Sequence, residues 1–417
     1  MNQEAKDDLK GRHSEFQGQY DQLLSESLSL NMTRGKPSPQ QLDLSSALLQ
    51  TPVGDFLDSD GVDTRNYGGV DGLSEMKALF GGILEMDPAQ VIVGGNSSLT
   101  MMYDTLQRAC QFGVPGGDGP WNQVENRKFL CPSPGYDRHF LITQHLRFEL
   151  VNVDMTDGGP DMDQVEWLVK NDASIKGIWC VPKYSNPTGC CYSVETVARL
   201  AAMETAAVDF RVIWDNAYAE HHFTDDVPIL ENIAVHCENA GNPNRVIQFA
   251  STSKITLSGA GVAAMAGSAE NIENAREHIN VQSIGPDKTN QLRHLRFFKN
   301  LEGLRAHMKN HAALVKPKFD LVQEVLDREL GGLGIASWSQ PKGGYFISLQ
   351  VGDGKAKRVI ELAAKAGVQL TQAGAPFPYG KDPSDRVIRI APTFPAIEEV
   401  GKATEILAVC VKLVASE

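Results

Sequence analysis

Short apolar runs bounded by polar or glycine-bearing turns recur through the middle of the chain, at residues 90–93, 129–131, 177–181, 211–214, 246–250 and 262–266. Runs this short do not make buried helices; they suit strands covered on both faces. Stretches of helical spacing, such as 193–207, lie between several of them, so strand and helix alternate. That alternation predicts an α/β fold, with a mostly parallel central sheet between layers of helix. The pattern changes after residue 300. Residues 301–330 read as helix, with Pro317 predicted to kink or split it. Beyond it, strands at 344–349 and 386–390 mix with helices at 356–366 and 396–414, which suits a smaller α+β unit. With 417 residues, 42% of them hydrophobic, the chain can fill more than one core. The expected division is a large α/β domain over 43–303 and a small α+β domain over 304–417, with the N-terminal segment 1–42 forming part of the small domain.

Ahead of the sheet, 31–37 reads as a loop, 38–50 as a short helix, 66–69 as a turn and 74–84 as a helix burying Met76, Leu79, Phe80 and Ile83. Ser97 is the expected N-cap of a helix running to residue 110. A net charge of −13 argues against nucleic acid or an anionic membrane surface as partner. Because no apolar run approaches the ~18 residues of a membrane helix and the first residues are charged, a cytoplasmic protein is expected. The seven cysteines are odd in number and lack metal-type spacing, so reduced structural thiols and no metal site are expected.

Chemistry concentrates at the ends of the apolar runs. Lys254 closes Ser251-Thr252-Ser253-Lys254 directly after the 246–250 run. A lysine at the end of a buried strand either reaches water or has a lowered pKa. Asp215 ends the 211–214 run, where ligands of open α/β sheets bind, although an N-cap or turn reading serves equally well for the residue alone. Tyr218 follows three residues later. Ser97 and Ser98, after a strand and at a helix start, offer hydroxyls and free N–H groups to a phosphate. Asn186-Pro187-Thr188-Gly189 reads by composition as a turn. Arg389 interrupts the apolar pattern of Val387-Ile388-Arg389-Ile390.

Tyr67 with Gly72, Gly95-Asn96-Ser97-Ser98, Asn186-Pro187-Thr188-Gly189, Asp215-Asn216-Ala217-Tyr218, Ser251-Thr252-Ser253-Lys254, Pro341-Lys342-Gly343-Gly344 and Arg389 stand in one order. In this the chain resembles the fold-type I pyridoxal-phosphate enzymes of the class I/II aminotransferase family. Thr33-Arg34-Gly35-Lys36-Pro37-Ser38, Thr252-Ser253-Lys254-Ile255-Thr256 and Ser283-Ile284-Gly285-Pro286-Asp287-Lys288 resemble the bacterial type Ic aspartate aminotransferases in particular.

The resemblance implies pyridoxal 5′-phosphate as cofactor, bound as a Schiff base to Lys254, which then carries the Cα proton. It implies that Asp215 keeps the ring nitrogen protonated, that Tyr218 and Asn186 bond the ring oxygen, and that Asn96, Ser97, Ser98, Ser251 and Ser253 hold the phosphate side. It gives Arg389, with Gly35 and Asn186, to the substrate, and brings Tyr67 across the interface of a homodimer with shared active sites. Two departures are visible. Val262 stands where many relatives carry a phosphate-binding arginine, leaving Lys288 or Arg293 as substitutes, and Tyr136 stands shifted from the position of the ring-stacking aromatic. The implied substrates are an amino acid and a 2-oxo acid, with L-aspartate and 2-oxoglutarate giving oxaloacetate and L-glutamate. Candidate partners for the second carboxylate are Arg34, Lys36, Arg65, Arg138, Lys183, Lys288 and Arg293. Aromatic or alanine transamination, β-elimination and a non-catalytic sensor remain as alternatives.

Overall fold

The computed structural model describes residues 9–417; the first eight residues of the N-terminal segment lie outside the described residues. Its strands in chain order are β1 (Leu30–Asn31), β2 (Val91–Val93), β3 (Lys128–Ser133), β4 (Glu149–Thr156), β5 (Gly159–Pro160), β6 (Ile175–Cys180) and β7 (Arg211–Asp215), followed by β8 (Val246–Ser251), β9 (Ala263–Gly267), β10 (Ala336–Trp338), β11 (Ile347–Val351), β12 (Val368–Gln369) and β13 (Val387–Ile390).

Eight of these form one sheet in the order β2-β9-β8-β7-β6-β3-β4-β5. The pairs from β8 through β7, β6 and β3 to β4 are parallel, while β2, β9 and β5 join antiparallel. Successive side chains of a strand point to opposite faces, and here both faces are covered. From β7, Val212 and Trp214 enter a core with Val165, Val197, Leu200 and Ile233. Ile213 points the other way, into a core with Met102, Leu106, Phe140 and Ile272. That double burial is why the strands are continuous apolar runs rather than alternating ones.

A second body of hydrophobic packing unites the two ends of the described chain. Phe16, Tyr20, Leu30 and Met32 share a core with Val322, Leu326, Ile347, Leu349, Ile388, Ile390 and Leu407. β1 pairs in parallel with β12, and β10, β11 and β13 form an antiparallel sheet. The 30-residue helix Leu301–Leu330 runs from the large sheet's layer into this core and continues through Pro317 rather than splitting there. The ring removes one intrahelical hydrogen bond. Val315, Phe319 and Val322, all buried, hold the turns on either side of it.

The 38–50 stretch is two short helices, Pro39–Asp43 and Ser46–Gln50, rather than one. Ser38 and Gln41 close a capping box on the first helix. Ser45 at the break is buried, 3.1 Å from His307 Nε2. A polar contact to a distant helix thus overrides local spacing. β4 and the helix Asp137–His145 carry too many polar residues to be noticed as apolar runs. Among the described residues no helix is long and apolar enough to cross a membrane.

Candidate active site

The carboxyl ends of β6, β7 and β8 open onto a cavity of about 210 Å³ lined by Gly35, Ser97, Ser98, Tyr136, Asn186, Asp215, Tyr218, Ser251, Ser253 and Lys254. This is the crevice where open α/β sheets bind ligands. Lys36, one of the candidates for a second carboxylate, lines it as well, as do Ser258 and Leu99, which nothing in their positions in the chain had marked.

Lys254 sits on a turn fixed from below. Thr252 Oγ1 accepts a hydrogen bond from the Val262 N–H at 2.9 Å, and Thr256 Oγ1 lies 3.0 Å from His294 Nε2. Val262 is itself buried, so no side chain at that position faces the cavity in place of the absent arginine. The Lys254 amine presents surface to the cavity, yet the surrounding protein excludes bulk water. Burial lowers its pKa from the ordinary lysine value, with Asp215 opposing the shift. Its Nζ stands 5.0 Å from the centre of the Tyr218 ring.

Asp215 is buried, with a different environment for each oxygen. Oδ2 lies 2.9 Å from His139 Nε2, and the imidazole stacks on Trp179 at 4.2 Å. Oδ1 has no hydrogen-bond partner. A buried carboxylate oxygen without a partner is costly unless a ligand supplies the donor. Tyr136 packs edge-on to His139, and burial, reinforced by Asp215, pushes its phenol up to about 12.

Ser97 caps the helix Ser98–Phe112, accepting from the Thr100 N–H at 3.3 Å. This N-terminus and the hydroxyls of Ser98, Ser251 and Ser253 surround one end of the cavity. Backbone N–H groups and hydroxyls at a helix start suit a phosphate. Asn96 does not line the cavity; its carbonyl accepts from Ser253 Oγ at 3.2 Å, tying the serine loop to the lysine turn. The set therefore fits a ring with a protonated nitrogen for Asp215, an aldehyde for Lys254 and a phosphate for the serines.

Arg389 is buried on β13, behind the cavity lining. Its Nη1 donates to Asn186 Oδ1 at 3.4 Å and to Asp137 Oδ1 at 3.3 Å, and its Nη2 donates to Thr371 Oγ1 at 3.2 Å. Gly35 is required sterically, since a Cβ there would lie 2.4 Å from Phe346 Cζ. Gly344, with φ +83, and Gly343 allow equally close packing on Tyr184, which explains the glycine pair near residue 343.

Tyr67 stands apart from these groups, 80% exposed. Lys288 does not reach the cavity in place of the missing arginine. Its Nζ is occupied by the carbonyls of Asn66 at 2.8 Å and Gly68 at 2.5 Å and so shapes the loop that presents Tyr67. Of the cations weighed for a second substrate carboxylate, Lys36 lines the cavity, and Arg34, Arg65, Arg138, Lys183, Lys288 and Arg293 do not.

Comparison with known proteins shows the family and the fold. The aspartate amino-transferase family matches residues 3–417. An aspartate aminotransferase of Corynebacterium glutamicum is 48% identical over 406 residues, covering 97% of this chain and 94% of that protein. The solved structure of an aspartate transaminase from the same species superposes with a TM-score of 0.96 at 47% identity, covering 98% of this chain and 97% of that one. At 20% identity, the Thermus thermophilus α-aminoadipate aminotransferase complexed with N-(5′-phosphopyridoxyl)-L-leucine shares the fold, with a TM-score of 0.74 and coverage of 93% and 92%. A mostly parallel sheet with Lys254 and Asp215 at its strand ends, matched over nearly its whole length by these relatives, places the chain in the aspartate aminotransferase family.

Proposed function

We propose that the chain transfers the amino group of L-aspartate to 2-oxoglutarate, forming oxaloacetate and L-glutamate, with pyridoxal 5′-phosphate held in the cavity at the ends of β6, β7 and β8. The single observation that carries this reading is the pair formed by a buried Asp215 oxygen without a partner among the described residues and a half-buried lysine of lowered pKa in one small cavity. When bound, the cofactor supplies an electron-withdrawing ring that takes up the electron pair left as a Cα–H bond breaks.

The chain's own residues do the rest. Burial keeps the Lys254 amine available in neutral form, to hold the aldehyde and to move a proton at the substrate Cα. Asp215 Oδ1 would accept from the ring nitrogen and hold its proton, while His139 fixes the carboxylate from the other side. Asn186 and Tyr218 would bond the ring oxygen. Ser97, Ser98, Ser251 and Ser253, with Asn96 positioning their loop, would hold the phosphate, and Tyr136 would contact the cofactor. Arg389 would clamp the substrate α-carboxylate beside Asn186 and Gly35 and so fix which Cα bond breaks. Lys36 takes the distal carboxylate.

The active unit we propose is a homodimer, in which Tyr67 of each chain completes the other's site. Support comes from an exposed apolar group, Tyr67, Val281 and Ile284, gathered where the Gly68 N–H donates to the Ile284 carbonyl at 3.1 Å. We also propose the division into a 43–303 domain and a 304–417 domain that includes 1–42, on the strength of the separate hydrophobic cores. The net charge of −13, which disfavours an anionic membrane surface, supports a cytoplasmic location.

The test is borohydride reduction of the cofactor-loaded protein followed by peptide mapping, paired with an amino-donor panel against 2-oxoglutarate. The expected outcome is an adduct on Lys254 and aspartate as the preferred donor. An adduct on another side chain sinks the site assignment. Preference for alanine or aromatic donors, or release of pyruvate and ammonia, sinks the aspartate reading alone.

A further inference from the structure

A second cavity, of about 620 Å³, is separated from the first by β7 itself. Asp215 lines the first, while Trp214 and Gln248, on the other face of β7 and β8, line the second. Leu84, Leu230, Met308 and Ala312 supply its apolar walls. Polar and charged side chains make up the rest of its lining, and its volume matches the usual dimensions of a small-molecule site.

Its cations are almost all balanced within the protein. Arg305 makes three hydrogen bonds of 3.1–3.2 Å to Glu220, Lys309 pairs with Asp225 at 3.6 Å, and Lys316 pairs with Asp320 at 2.6 Å. Lys183, half-buried, makes no hydrogen bond or ion pair among the described residues. Burial lowers its pKa, with Glu220 opposing, so an anion beside it would relieve a desolvation cost. Gln248 is only 3% exposed, and its Nε2 has no acceptor among the described residues. Two donors without acceptors beside apolar walls call for a ligand with an anionic oxygen and an apolar body. Glu85, exposed, and Glu231, its side chain 39% exposed, also line the chamber, and solvent screens both.

We propose that this chamber is a binding site for an amphipathic monocarboxylate, with the carboxylate on Lys183, the apolar body over Trp214 and Met308, and Gln248 donating to a ligand oxygen. The site is distinct from the transamination cavity, and its occupant is not the substrate.

Calorimetric titration of the cofactor-loaded protein with octanoate tests this, using octanamide and octylamine as controls and repeating the titration in saturating aspartate. Octanoate is expected to bind with a Kd below about 1 mM, as burial of its chain supports. The amide and the amine are expected to bind at least about ten-fold more weakly, because each lacks the charge that Lys183 would meet. Aspartate is expected to leave the isotherm unchanged. Lys183→Met should weaken octanoate about ten-fold, the loss expected for one charge-assisted hydrogen bond. Ala312→Trp, which fills the chamber from the helix wall, should abolish binding while aspartate turnover persists. No binding at 10-fold higher octanoate, equal affinity for the controls, displacement by aspartate, or unchanged affinity in both variants would each overturn the proposal.

Discussion

Two cavities share β7 as a wall, and they differ in every respect that matters for chemistry. The larger mixes apolar walls with charged side chains, and apart from Lys183 its lysine and arginine side chains are already matched by carboxylates. The smaller holds a carboxylate with one unengaged oxygen, a lysine whose charge burial disfavours, and a helix N-terminus capped by Ser97 with four further serines in the lining. Volume reflects how helices happen to cover a sheet face. Reactivity reflects strand ends, where the backbone stops pairing and successive residues such as Trp214 and Asp215 are sent to different environments. Preorganised charge in a water-poor site, rather than space, makes the small cavity the chemical one.

The contrast breaks first at Asp215. Asp215→Asn keeps the shape and a contact to His139 but removes the charge that would hold a ring proton. We expect kcat for aspartate to fall on the order of 10²–10³-fold, as for loss of a charge-stabilising group in a buried site. The effect should come with little change in thermal stability. His139→Asn, which loosens only the support of Oδ2, should cost on the order of ten-fold, by analogy with groups that orient a ligand from behind. Stopped-flow measurement of single turnovers separates the two. Equal losses would mean that His139 acts on substrate directly rather than through Asp215.

His139 also shows where reading the chain stops. The strands could be recognised because burial on both faces writes itself as continuous apolar runs. Lys254, Asp215, Asn186 and the serines could be recognised because each ends or follows such a run, and because their order resembles one family. His139 sits on a polar helix whose opening, Asp137-Arg138-His139, looks like a solvated face, and its partner is 76 residues away. Nothing local marks such a pair. The same holds for Ser45 and His307, whose contact splits a helix, and for Lys288, whose position beside a family motif suggested a phosphate but whose amine is held by loop carbonyls. Local pattern reports burial and caps; it does not report which distant polar groups satisfy each other.

Lys36 sharpens the comparison from the opposite direction, because it is a lining cation of the small cavity without a carboxylate partner among the described residues, as Lys183 is of the large one. Its Nζ rests 3.8 Å from the centre of the Phe394 ring. Lys36→Met should raise KM for aspartate by about 10–100-fold, the loss of one charge-assisted hydrogen bond, and leave monocarboxylic donors unaffected. A uniform loss across all donors would remove Lys36 from substrate recognition. Gly35→Ala beside it tests packing rather than charge. The added methyl would strike Phe346, which should lower stability by about 1–3 kcal/mol, and Phe346→Leu in the same chain should recover part of that. Chemical denaturation midpoints decide it.

The smallest effect concerns the neutral histidines on each side of the sheet. Burial pushes His294 and His311 down to about 4 beneath the lysine turn, and pushes His222 down to about 4 beside the large cavity. The ordinary histidine value is about 6.5. Between those values the unfolded chain takes up protons that the native one refuses, so stability is fully present above about 6.5 and is lost as pH falls toward about 4. Urea midpoints measured at pH 7.5 and pH 5.0 should therefore be lower at the acidic value. His294→Gln should flatten that dependence more than His222→Gln, because His294 is fully enclosed against Thr252 and Thr256, whereas the half-buried His222 meets solvent that screens its charge. Equal flattening would show that the two sides of the sheet resist protonation alike, and that the enclosure of the lysine turn is no greater than that of the open chamber behind it.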